Sequence, residues 1–103
     1  MAKQVEEMVK NSLDAVVKAD TNLARQVRRE DDIVDAGRHT VRKLVMQQIK
    51  KDPEKVEGLL QINSISKHLE RIADMATNIA EDVIYMVEGE IVRHRHRDDV
   101  TST

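Results

Sequence analysis

Between Val56 and Val87 the apolar residues Val56, Leu59, Ile62, Ile65, Leu69, Ile72, Ala76, Ile79, Val83, Met86 and Val87 recur every three or four positions without a break. A strand would send such a series to both of its faces, whereas an α-helix gathers it on one. The rest of the chain keeps the same period. Val5, Met8, Val9, Leu13, Val16 and Val17 make a shorter stripe, and Leu23, Val27, Val34, Val41, Leu44 and Val45 make a second one that runs to Lys50-Lys51. Asp20, Thr21 and Asn22, between the first two stripes, are residue types that cap a helix N-terminus with a side-chain oxygen. Asp52-Pro53 marks the next boundary, because proline at a first helical position gives up an N–H that would have no partner there anyway. Gly89 is expected to close the third helix in a left-handed conformation. These signals predict an all-α fold: an antiparallel three-helix bundle with one short and two long helices. Residues 1–94 form the expected domain, and residues 95–103 a polar, frayed C-terminal tail.

Composition narrows the chemistry. The chain has 103 residues, enough for one core. Tyr85 is its one aromatic residue, which leaves little for a β-sandwich or an aromatic-lined ligand pocket. The absence of cysteine removes disulfides, thiolate nucleophiles and thiolate metal sites together. Met1-Ala2-Lys3-Gln4 leads straight into an amphipathic pattern, and no apolar run approaches the roughly 20 residues of a membrane span. The expected location is the cytoplasm, with no membrane insertion. A net charge of -2 with interspersed signs argues against nucleic acid as a partner.

Two acidic pairs stand out. Asp31 and Asp35 are four residues apart on the second helix, and Glu70 and Asp74 are four apart on the third, so each pair shares a face. Like charges at this spacing cost a helix roughly 0.2–0.5 kcal/mol per pair. In an antiparallel hairpin turning at Asp52-Pro53, Asp31 falls level with Asp74 and Asp35 with Glu70. Four carboxylates at matching heights need protons, a basic side chain or a metal cation. Glu30, on the apolar stripe of the second helix, and Asn78 and Glu81, further along the third, extend the set towards a second ion. The alternative is a pair of solvated acidic edges bridged to Arg38, Lys67 or Arg71.

The segment Glu70-Arg71-Ile72-Ala73-Asp74-Met75-Ala76-Thr77-Asn78-Ile79-Ala80-Glu81 resembles the signature ERIxDxxxNIxE of PhoU-type phosphate-uptake regulators. Arg29-Glu30-Asp31-Asp32-Ile33-Val34-Asp35 is similar to that family's other E/D-x-x-x-D motif, and Val87 to His94 resembles the ending of its second repeat. The resemblance implies metal binding through Asp31, Asp35, Glu70 and Asp74, with a divalent or trivalent ion such as iron, zinc, manganese or magnesium. It also implies a regulator without catalytic activity, which links a phosphate ABC transporter to a sensor histidine kinase. The family pattern holds two three-helix repeats where this sequence shows one.

Other signals are weaker. His94 and His96 have a chelating spacing between arginines, and Asp35 and His39 share a helix face, but adventitious binding and a solvent-exposed histidine explain them as well. Gly37 inside a helix costs about 1 kcal/mol against alanine and hints at a close backbone approach. A di-metal enzyme of the ferritin-like sort needs Glu-x-x-His pairs, and the sequence has none. A plain structural bundle is the third reading. Because the first helix is short, the apolar seam it leaves bare is expected to form a homodimer. The expected contacts run along Leu44, Val45, Ile49, Val56, Leu59 and Ile62, or along the end from Ile79 to Val87.

Overall fold

The computed structural model describes the backbone of residues 1–101 and the side chains of residues 1–89. Helix α1 spans Ala2–Lys18, α2 spans Thr21–Lys51, and a 3-10 turn at Pro53–Lys55 leads into α3, Val56–Thr101. Each helix packs against both others, so the described chain is an all-α three-helix bundle.

Local chemistry explains both corners. Asp20 is the cap of α2, and its Oδ1 accepts the Leu23 N–H at 3.1 Å. The residue before it, Ala19, turns the chain in the left-handed region at φ 51° and ψ 40°. Its N–H donates to the Val16 carbonyl, while that of Asp20 donates to the Ala15 carbonyl, which satisfies two of the carbonyls a helix end leaves free. At the second corner Pro53 begins the 3-10 turn, and Lys55 lies 3.7 Å from the Asp52 carboxylate. Gly89 is not a cap. Its backbone is helical, no glycine among the described residues has a positive φ, and α3 continues past both Gly89 and residue 94. A glycine without a following left-handed turn does not stop a helix that the next residues can extend. His94, His96 and the other tail side chains lie outside the described residues.

The core forms where all three helices meet. Val5, Met8, Ser12 and Ala15 of α1 and Ala24, Val27 and Val34 of α2 bury against Ala73, Ala76, Ala80, Val83 and Ile84 of α3. The face of α3 turned inward is thus built largely of alanine. Small side chains let helix axes approach closely, and the larger residues of the same period, Ile62, Ile65, Ile72 and Met86, stay exposed. Gly37 has the close neighbour that its cost suggested: a Cβ placed there would lie 3.3 Å from Met1 Cγ. Met1, the residue before α1, therefore lies over the middle of α2, and beyond it α2 and α3 continue as a two-helix hairpin.

In that hairpin the expected dimer seam is only partly bare. Val45 is buried and Ile49, Val56 and Leu59 are half-buried, while Leu44 and Ile62 remain exposed. At the other end Val83 and Ile84 are core residues. The larger uncovered apolar surface runs along the flank of α1 and α3. There Val9, Leu13, Leu69 and Ile72 line a groove of about 530 Å³.

No helix among the described residues is long and apolar enough to cross a membrane.

Candidate metal centre

The antiparallel pairing of α2 and α3 brings Asp31, Asp35 and Asp74 together. Each offers one carboxylate oxygen, and the three oxygens lie within 4.8 Å of one another. Asp74 stands within reach of both α2 residues. Glu70, one turn nearer the hairpin end, is half-buried and is not part of the triad.

The remaining candidates separate. Glu30 accepts a hydrogen bond from Gln26 Nε2 at 3.0 Å through Oε1, while its Oε2 is buried without a partner. Asn78 is exposed. Glu81 lies 3.9 Å from the Arg28 guanidinium across the α2–α3 seam. None of these three joins the triad. The bridging cations expected beside the acids are placed elsewhere too. Arg38 is buried and donates to Asn63 Oδ1 at 3.0 Å, and Lys67 and Arg71 are exposed with no ion pair among the described residues. His39 is exposed on the outer side of α2.

The electrostatics centre on Asp31. Its Oδ1 is buried and has no hydrogen-bond partner. Burial raises its pKa above the ordinary 3.8, and the neighbouring charges of Asp35, Asp74 and Asp32 push in the same direction. The Thr77 hydroxyl opposes them. That hydroxyl has a single proton, which in this structure it donates to the Ala73 carbonyl at 3.0 Å, so its relief of Asp31 is small.

Thr77 and Asp32 were not singled out from the sequence. Thr77 follows Asp74 by three residues, the spacing that places both on one helix face, and this is the signal that could have found it.

Such an arrangement suits a cation. Carboxylate oxygens are hard donors, apt for magnesium, manganese, iron and zinc. A buried carboxylate oxygen with no donor is the kind of atom a metal ion satisfies. The triad, with Asp31 as its innermost member, therefore fits the expected group, and Asp31, Asp35 and Asp74 are the residues that would hold it.

Comparison with known proteins gives a consistent result. Residues 1–83 match the PhoU domain. A PhoU homolog of Aquifex aeolicus, described as a phosphate-specific transport system accessory protein, is 40% identical over 96 residues, covering 93% of this chain and 43% of its own length. The homolog of Pseudomonas aeruginosa with the same description is 39% identical over 94 residues, covering 91% of this chain and 39% of its own. That of Clostridium acetobutylicum is 36% identical over 92 residues, covering 89% and 42%. The chain thus spans about two fifths of the length of these relatives. With a family match over most of its residues and the motif acids Asp31, Asp35 and Asp74 gathered on two facing helices, the chain belongs to the PhoU family.

Proposed function

We propose that this chain is a metal-binding regulatory adaptor of phosphate uptake and phosphate-starvation signalling, and that it works by protein contact and not by catalysis. The observation that carries the reading is the convergence of Asp31, Asp35 and Asp74 around a buried carboxylate oxygen that has no donor. A bound divalent or trivalent ion neutralises their repulsion and clamps α2 to α3. Glu70, Glu30, Asn78 and Glu81 are the remaining sequence candidates from which a second ion would draw ligands.

The partners in this reading are a phosphate ABC transporter and a sensor histidine kinase, met in the cytoplasm. Support comes from family membership and from the description of the relatives as accessory to a phosphate-specific transport system. The similarity of Val87 to His94 to the ending of the family's second repeat supports reading the chain as that half of the pattern. A second three-helix unit, supplied by another copy, then covers the apolar flank of α1 and α3.

Elemental analysis of untagged protein, purified without added metal, tests the site. Stoichiometric iron, zinc, manganese or magnesium is expected in the wild type and its loss in the Asp35→Ala, Asp74→Ala double variant. Equal metal in both proteins would reject the assignment.

A further inference from the structure

Next to the carboxylate triad, the outer edges of α2 and α3 enclose a cleft of about 460 Å³ lined by Arg25, Arg28, Arg29, Asp31, Thr77 and Glu81, with Asp32 at its side. Two of its arginines are held loosely. Arg25 pairs with Glu88, and Arg28 lies 3.9 Å from Glu81, with all four side chains well exposed to solvent. Pairs of this kind contribute little and exchange readily for another anion. Arg29 is exposed and has no acidic partner among the described residues.

The charge balance of the cleft is conditional. Three guanidiniums face the carboxylates of Asp31, Asp32 and Glu81, and Glu88 pairs with Arg25, so without metal the cleft has no excess of positive charge and holds an anion poorly. Asp31 belongs to both the cleft and the triad. A cation on the triad offsets the charge of Asp31 and so removes the nearest repulsion an anion beside Arg28 and Arg29 would meet. Guanidinium forks match tetrahedral oxyanions in geometry, and hard cations accept oxyanion oxygens.

We infer that this cleft binds a tetrahedral oxyanion of the phosphate class, and that it does so when the neighbouring triad carries its metal. The inference rests on the metal reading above and adds a ligand to it. It makes the module responsive to two species at once, since each must raise the affinity for the other by the same factor.

Calorimetric titration of inorganic phosphate into metal-loaded and chelator-stripped protein, each freed of unbound ions, is the test. Phosphate should bind the loaded form roughly tenfold or more tightly than the stripped form. In the Arg28→Gln, Arg29→Gln variant the loaded form should lose roughly tenfold or more in phosphate affinity while keeping its metal content, because both residues are exposed and neither belongs to the triad. Equal phosphate affinity with and without metal overturns the inference, as does an unchanged affinity in the variant. A wild type that holds metal and ignores phosphate removes the oxyanion site alone, whereas a wild type that retains no metal removes both readings.

Discussion

Asp31 shows how one side chain couples stability to function. Asp31 is half-buried, with its Oδ1 shielded from solvent beside two other carboxylates, and its pKa is raised by desolvation first and by Asp35, Asp74 and Asp32 after that. A raised folded-state value means that folding favours the protonated form. Relative to the unfolded chain, the contribution of Asp31 is most favourable below its ordinary 3.8 and is lost as pH rises through the higher folded value. As the pH rises, the metal-free protein therefore carries more of the repulsion. Asp31→Asn should stabilise it at neutral pH by roughly 0.5 kcal/mol, the scale of a like-charge helical pair. Thermal melting in the presence of a chelator checks this: the variant should melt higher near pH 7, and the gap should close as the pH falls towards 4. In metal-loaded protein the order should reverse, because the wild type gains an ion that the variant holds weakly. A variant that melts lower than wild type at neutral pH under chelation would contradict the account of Asp31.

At the scale of helices, the corner between α1 and α2 carries opposite contributions in adjacent residues. Asp20 caps α2 through Leu23, and Asp20→Ala should cost about 1 kcal/mol. Ala19 holds a left-handed conformation that suits glycine better, since a Cβ crowds the neighbouring carbonyl there. Ala19→Gly should therefore gain up to about 1 kcal/mol despite the greater freedom glycine has in the unfolded chain. Urea unfolding of the two variants beside wild type reads both, with shifts of opposite sign expected. Gly37→Ala is a finer case. Helix propensity favours alanine by about 1 kcal/mol, but the new Cβ would meet Met1 Cγ at 3.3 Å. The flexible methionine side chain can give by that small amount, so a net gain smaller than the propensity difference is expected in the same measurement.

Helix boundaries of this kind were legible in the sequence because caps and proline act through their immediate neighbours. The inward face of α3 was not. Periodicity marked Ile62, Ile65 and Ile72 as core with Ala76 and Val83; the structure buries the last two but exposes the three isoleucines and buries Ser66, Ala73 and Ala80 instead. The helix has two apolar faces, and period alone gives no rule for which one its own chain covers. The three aspartates of the triad were legible in the hairpin register, whereas Glu70 was not separable from them, since residue counting places a side chain on a face but does not give where its carboxylate ends. The arginine side of the cleft was missed because its members lie on the outer ridge of α2, where charged residues read as a solvated face.

At the scale of the molecule, the same second face of α3 sets the state of association. Leu13 is 53% exposed and Ile72 37%, and both line the apolar groove between α1 and α3. A continuous apolar surface of this kind on a bundle with a core of small side chains points to a further layer of helices. In the function proposed above, a second copy of the chain supplies that layer. Two copies related by a two-fold axis would each present this flank to the other, with Glu6 and Lys10 at the edge of the groove as rim charges of opposite sign. Sedimentation at micromolar concentration should find a dimer. The double variant Leu13→Lys, Ile72→Lys should sediment as a monomer with unchanged helix content by circular dichroism, since both side chains are exposed in the single chain. A wild type that stays monomeric at these concentrations would reject pairing between copies. A dimer that survives both lysines would instead move the contact to the α2–α3 hairpin, where Leu44 and Ile62 are the remaining exposed apolar residues of the expected seam.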